Sequence, residues 1–282
     1  MSDLVVGFVG LGNMGSVLAA NLVTAGLTVV AHDAVGPARA PDGAEYVESV
    51  GDVARAADVV VFSLPDGAVS ELVAREVVAA DDRRVTHVVD TSTVGPHAAQ
   101  AIAALLADAD VAYVDAPVSG GIAGARARTL AVMVSADDAA CAYVEPVLAG
   151  LSKRRHRVGD RPGLGQALKL ANNFLSATAL AATSEAVAFG TALGLDMATM
   201  VEVLNASSGN NTATSDKFPN HVITGRYSSG FANSLMAKDV RLYLAEVREQ
   251  GGPSTVGMVT AEIWEQFAAA DPGVDFTRIY PY

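Results

Sequence analysis

Two short segments carry side chains whose types and spacing could do chemistry on a small molecule. The first is Lys169-Leu170-Ala171-Asn172-Asn173. It sits inside a long stretch of helical character, so Lys169 and Asn173, four residues apart, share one face, with Asn172 close by. A cation and two amides on a mainly apolar helix need partners. Lysines within helices are commonly solvated, whereas one withdrawn from water gives up its proton nearer neutrality and can act as acid or base. The second segment, Asp115-Ala116-Pro117-Val118-Ser119-Gly120-Gly121, follows a strand-like run. That places it on the carboxyl-end side of a sheet, where ligands bind in open α/β folds. Two glycines after Ser119 expose successive backbone N–H groups and the serine adds a hydroxyl, a set that can hold a carboxylate without a cation. The same residues also suit a plain tight turn.

The elements that must position these groups begin at the amino-terminal end. An apolar run over residues 4–9 enters Gly10-Leu11-Gly12-Asn13-Met14-Gly15, and residues 16–25 read as helix. In that order of strand, glycines and helix, the pattern means dinucleotide binding. Gly10 serves the tight turn, Gly12 lets backbone approach a pyrophosphate, and Gly15 allows close packing of helix on strand. The phosphates would lie on the helix N-terminus, where unpaired N–H groups and the dipole favour anions. A second strand-like run, 28–32, ends at Asp33, twenty-three residues after Gly10. An acid at that distance suits a ribose 2′-hydroxyl and repels the extra phosphate of NADP, and no arginine follows directly, Arg39 being the nearest. The expected cofactor is therefore NAD rather than NADP.

Strand-like runs at 5–9, 28–32, 59–63, 87–90, 111–115 and 130–135, with a short one at 155–158, alternate with alanine-rich helical stretches. This is the signature of βαβ units and a parallel sheet, and runs that are apolar throughout suit strands covered on both faces. Asp160-Arg161-Pro162-Gly163 punctuates the chain, and no convincing strand follows it. The expected architecture is a Rossmann-type doubly wound α/β domain over residues 1–162, then an all-helical domain over 163–282 for substrate and oligomerisation. In the second, 165–193 reads as a long buried central helix, with shorter helices at 197–205, 235–250 and 254–270 and a polar stretch at 206–216.

Composition excludes several classes. A net charge of −12 argues against nucleic-acid and anionic-membrane partners while leaving room for a small anionic substrate. No apolar run reaches the roughly 18 residues of a membrane span. Met1-Ser2-Asp3 leads into the first strand without a basic segment or apolar leader, so the expected location is the cytoplasm. The one cysteine, Cys141, permits neither an intrachain disulfide nor a CxxC metal site and reads as helix packing. His32, His87, His97, His156 and His221 show no metal-binding spacing. Ser119 lacks the G-x-S-x-G elbow of hydrolases. Trp264, Tyr280 and Tyr282 suit packing or subunit contacts.

Taken in order, Phe8-Val9-Gly10-Leu11-Gly12-Asn13-Met14-Gly15, Asp115 to Gly121, Lys169 to Asn173 and Lys238-Asp239 resemble the motifs of the β-hydroxyacid dehydrogenases, typified by the 3-hydroxyisobutyrate dehydrogenases. The resemblance spans essentially the whole chain. It implies an NAD-dependent oxidoreductase that reversibly oxidises a short 3-hydroxy acid to its semialdehyde or 3-oxo acid. The apolar central helix, which a partner subunit would partly cover, points to a homodimer or homotetramer. Lys169 would be the catalytic acid/base; Ser119, Gly120 and Gly121 the carboxylate cradle; and Asn173 a substrate-orienting amide. Leu64, Pro65 and Thr93 would line the cofactor, joining Gly10, Leu11, Gly12, Asn13, Met14, Gly15 and Asp33, and Lys238 would approach the nicotinamide side near Phe231. The rival readings are an imine or other aldehyde-acid reductase on the same scaffold, and a catalytically silent NAD-binding module. Two departures stand out. Where the family commonly has Gly-Thr-Leu before a strand ending in Val-Gly-Gly, this chain has Arg128-Thr129-Leu130 and Val134-Ser135-Ala136. Arg128 is expected to be solvent-exposed.

Overall fold

The computed structural model describes residues 4–280 and 282. Met1-Ser2-Asp3, on which the expectation of a cytoplasmic location draws, lies outside the described residues, as does Pro281. The chain divides into two compact units, residues 1–169 and 170–282.

Among the described residues the first unit carries nine strands: β1 Val5–Val9, β2 Thr28–His32, β3 Glu45–Tyr46, β4 Val59–Phe62, β5 His87–Asp90, β6 Ala112–Asp115, β7 Val118–Ser119, β8 Ala131–Ser135 and β9 Arg154–Gly159. Between them run helices α1 Gly15–Thr24, α2 Val50–Ala56, α3 Gly67–Ala79, α4 Pro96–Ala107, α5 Gly121–Arg126 and α6 Asp138–Leu151. The sheet order is β3-β2-β1-β4-β5-β6-β8-β7, with β9 paired to β8. Its first six strands are parallel and follow the doubly wound dinucleotide-binding order. β8 pairs antiparallel with both β6 and β7, and β9 lies parallel to β8.

Side-chain alternation along each strand explains the unbroken apolar runs. Val6, Phe8, Val59, Val61 and Val89 pack on one face with Leu18 and Leu22 of α1 and Val144 and Leu148 of α6. Val9, Val60, Phe62 and Val88 pack on the other with Val53 of α2, Val77 of α3 and Ile102 of α4. Both faces are covered, so neither set of alternating positions needs to be polar. Side-chain caps fix several helix starts, among them Ser49 on Asp52 N, Asp66 on Val69 N and Asp137 on Ala140 N.

Beyond Gly159 the described residues add only helices and one isolated bridge, Ala232 with Asp275. Helix α7, Leu164–Ala192, begins in the first unit and continues into the second, where α8 Met197–Asn205, α9 Asn233–Glu249 and α10 Thr255–Ala270 follow. A π-helical segment, Ala213–Val222, occupies part of the stretch read as a polar separator. The second unit's core holds Leu180, Val187, Phe218, Val240, Trp264, Phe267 and Phe276. Trp264 is fully buried and its Nε1 donates to the Ala177 carbonyl at 3.2 Å. Not all of α7 is buried: Leu168, Leu175 seven residues on and Phe189 fourteen beyond that are exposed.

Arg128 departs from expectation. It is half-buried rather than solvent-exposed, and its Nη2 donates to the Ala149 carbonyl near the end of α6 at 2.8 Å. Its backbone lies in the left-handed region, with φ +56°, directly after the Ala127 cap of α5. Thr129 N closes that end on the Gly124 carbonyl at 2.8 Å. A left-handed residue just past a helix is the place where glycine costs least, which accounts for the glycine in the family pattern. Ser135, at the second departure, is also buried and donates its Oγ to the Arg161 carbonyl at 2.6 Å.

Candidate active site

The glycine loop leaves β1 at Gly10, whose φ is +97°. A Cβ there would collide with the Ser63 carbonyl, and one at Gly15 with the Gly10 carbonyl, whereas at Gly12 it would meet nothing within 4 Å. Two glycines thus permit the fold of the loop, and the middle one keeps its outer side open to an approaching ligand. The Asp33 carboxylate accepts from Leu11 N at 2.5 Å and from Val35 N at 2.8 Å. Each oxygen retains acceptor capacity for a ribose hydroxyl. Arg39 donates to Asn13 Oδ1 at 3.0 Å. The open Gly12 backbone, the start of α1 behind Asn13 and Met14, and the carboxylate of Asp33 fit a bound dinucleotide.

The loops after β4 and β5 are joined to each other. Leu64 N donates to Ser92 Oγ at 2.8 Å, and Ser92 N to Asp90 Oδ1 at 2.9 Å. Thr91 Oγ1 donates to the Phe62 carbonyl at 2.6 Å. The segments bearing Leu64, Pro65 and Thr93 therefore stand side by side at the carboxyl ends of neighbouring strands.

β6 ends at Asp115, and the chain continues through β7 to Ser119, Gly120 at φ +131° and Gly121 at φ +65°, where α5 begins. Both glycines are exposed, and a Cβ at Gly121 would meet open space. Asp115 itself is buried. Its Oδ2 accepts from Gly163 N at 3.0 Å and Gln166 N at 3.1 Å, and its Oδ1 from Gln166 Nε2 at 2.8 Å. The start of α7, and Lys169 one turn on, are thereby tied to the strand that leads into Ser119-Gly120-Gly121. Lys169 is 8% exposed.

In the second unit, Asn173 and Asp239 are buried and bonded, Asn173 Nδ2 donating to Asp239 Oδ2 at 2.5 Å. Asn172 Nδ2 donates to Asn173 Oδ1 at 3.1 Å, and Lys238 Nζ lies 3.2 Å from Asp239 Oδ1. Phe231 meets Phe276 edge-on at 5.6 Å between ring centroids.

Comparison with known proteins gives this geometry a family. Residues 5–159 match the family described as the NAD binding domain of 6-phosphogluconate dehydrogenase. Residues 163–282 match the one described as NAD-binding of NADP-dependent 3-hydroxyisobutyrate dehydrogenase. The chain is 34% identical to the 3-hydroxyisobutyrate dehydrogenase of Pseudomonas aeruginosa, over 97% of this chain and 96% of that one. It is 36% identical to the 2-(hydroxymethyl)glutarate dehydrogenase of Eubacterium barkeri, over 92% and 88%. The structure of Mycobacterium tuberculosis 3-hydroxyisobutyrate dehydrogenase with L-serine superposes with a TM-score of 0.90 at 33% identity, covering 99% of this chain and 98% of that one. The chain belongs to the 3-hydroxyisobutyrate dehydrogenase family. As a member it is an NAD-binding oxidoreductase of the hydroxyacid dehydrogenase type.

Sequence reasoning passed over three buried residues that organise this family member's first unit: Asp90, Asp115 and Gln166. Asp115 was visible only as the opening letter of a motif, and an acid closing an apolar strand was the available signal. Asp90 and Asp115 are register partners on β5 and β6, and Tyr113 Oη donates to Asp90 Oδ2 at 3.2 Å. Burial pushes the Asp115 carboxyl up to about 7; hydrogen bonds from Gln166 oppose this and the nearby Asp90 charge reinforces it. Burial raises Asp90 as well. A carboxyl raised on folding contributes stability that is fully present below its ordinary 3.8 and is lost as pH rises through about 7. Asp115→Asn removes that share, so the denaturant midpoint should fall less steeply with pH across this window than in the parent, Asp90 leaving a residual slope. Equal slopes would contradict the assignment.

Proposed function

We propose that the protein catalyses the reversible oxidation of a short 3-hydroxy acid with NAD, and that Lys169 is its general acid/base. The observation that carries this reading is a lysine 8% exposed, one turn into a helix whose start is fixed to Asp115, four residues before the Ser119-Gly120-Gly121 cradle. A bound nicotinamide supplies the hydride acceptor. The backbone amides of Gly120 and Gly121, with the Ser119 hydroxyl, hold the carboxylate, which directs the substrate hydroxyl towards the lysine. The uncharged Lys169 amine takes the hydroxyl proton as the carbon is oxidised, and in reverse the ammonium returns it to the developing alkoxide. From the second unit, family resemblance supplies Asn173 to orient the substrate, and Phe231 and Lys238 as further contacts. Leu64, Pro65 and Thr93, with residues 10–15, line the cofactor.

With 3-hydroxyisobutyrate and L-serine as test substrates, Lys169→Ala should lower kcat by about 10²–10⁴ while leaving the NADH dissociation constant within about threefold of the parent. Ordinary turnover in that variant would refute the role.

The preference for NAD rests on Asp33. Its carboxylate accepts ribose hydroxyls and repels a 2′-phosphate, and Arg39, the nearest cation along the chain, is bonded to Asn13. The expected ratio of kcat/KM favours NAD over NADP by roughly tenfold or more, and Asp33→Ala narrows it. A parent enzyme that prefers NADP would overturn the assignment.

The protein is proposed to act in the cytoplasm as a homodimer or homotetramer. Among the described residues no helix is long and apolar enough to cross a membrane, and the free Cys141 is compatible with a reducing compartment. Support for self-association comes from α7, where Leu168, Leu175 and Phe189 form an exposed apolar line at 44%, 66% and 70% exposure. Light scattering should return a mass of at least two chains, and Leu175→Glu with Phe189→Glu should reduce it; a monomeric parent would refute the proposal.

A further inference from the structure

We propose that Gln166 is a positioning residue that holds the cofactor-lining loop after β5 and Lys169 in register; the inference rests on the reading of Lys169 as acid/base. A glutamine side chain can make four hydrogen bonds, two as donor and two as acceptor. Gln166, fully buried, makes all four. Its Oε1 accepts from Val94 N at 2.9 Å and Gly95 N at 3.2 Å, and its Nε2 donates to the Ser92 carbonyl at 3.1 Å and Asp115 Oδ1 at 2.8 Å. Two backbone donors face one end of the amide, and a carbonyl and a carboxylate face the other. Only an amide in this orientation satisfies both ends: a carboxylate would confront Asp115 and the Ser92 carbonyl without a proton to offer, and an apolar side chain would leave two buried N–H groups unpaired.

Thr93 lies between Ser92 and Val94, both of which are bonded to Gln166. Lys169 lies three residues beyond Gln166, about 4.5 Å along the helix and on nearly the same face. One amide therefore fixes the backbone on either side of a cofactor contact and also the helical turn that carries the proton-transferring amine. Asp115 anchors the same turn through the Gly163 and Gln166 backbone amides, so the turn cannot slide along the sheet to compensate for a lost side chain. The effect of losing Gln166 falls on turnover, which needs hydroxyl and amine aligned, more than on cofactor affinity, which draws on the whole glycine loop.

The test uses the full chain with NAD and 3-hydroxyisobutyrate, and compares Gln166→Ala, Gln166→Met, Lys169→Ala and the double variant Gln166→Met/Lys169→Ala, all assayed well below their melting temperatures. Methionine keeps the length and apolar bulk of glutamine, so it decides the matter if the alanine variant does not fold. In each Gln166 variant kcat should fall by roughly 30-fold or more with the NADH dissociation constant within about fivefold. In the double variant the further loss relative to Lys169→Ala should be several-fold smaller than the Gln166→Met penalty in the parent, because the share of the effect that acts through the lysine is gone. Parent-like kcat in Gln166→Met beside an inactive Lys169→Ala would overturn the positioning role and leave the lysine assignment standing. So would a Gln166→Met penalty that is equally large with and without Lys169. Parent-like kcat in Lys169→Ala would instead remove the assignment on which the proposal rests.

Discussion

A carboxylate shut away from water at the end of a strand must find donors, and much of the first unit is arranged around the donors that Asp115 finds. Removing an isolated carboxylate from water is costly unless hydrogen bonds replace the lost solvation. Asp115 receives three, from Gly163 N, Gln166 N and Gln166 Nε2, and still has a raised proton affinity. Two of the three come from the backbone at the start of α7, so satisfying the acid also fixes the origin and direction of the helix that bears Lys169. The third comes from a side chain whose remaining bonds reach the loop after β5. Strand end, helix start and the loop after β5 are thus held by one carboxyl group and one amide.

The proposed site relies on fixed backbone amides to hold an anionic substrate in a protein of net charge −12. In the proposed cradle Gly120 and Gly121 both hold left-handed conformations that a side chain would disfavour. Amides fixed in place need no reorganisation when the carboxylate arrives. The same economy of charge holds at the cofactor end, where Gly12 leaves its backbone open and Asp33 is tied by Leu11 N and Val35 N.

What the sequence made legible was whatever is written locally. The long strands were readable because both faces of β1, β4 and β5 are buried, so their residues form continuous apolar runs; the glycine fingerprint was readable because strand, turn and helix are contiguous. β3 and β7 have two residues each and carry no periodicity to detect. The π-helical turn at Ala213–Val222 is rich in polar residues and contains Pro219, so it reads as a loop. Arg128 looked like a surface cation because a left-handed cap after α5 and a bond to the Ala149 carbonyl are properties of the fold, not of its neighbours in sequence. Gln166 was passed over for the same reason. Its partners lie 51 to 74 residues away, and three letters before a lysine a glutamine looks like any other polar helix residue.

In the proposed mechanism the cradle and the lysine act on the two ends of one substrate. The most direct measurement is a crystal structure with NADH and a 3-hydroxy acid bound. The carboxylate is expected on the Gly120 and Gly121 amides and the Ser119 hydroxyl, with the substrate hydroxyl oxygen within hydrogen-bond distance of Lys169 Nζ. A substrate bound in the opposite sense, or a Lys169 amine turned away from the hydroxyl, would contradict it.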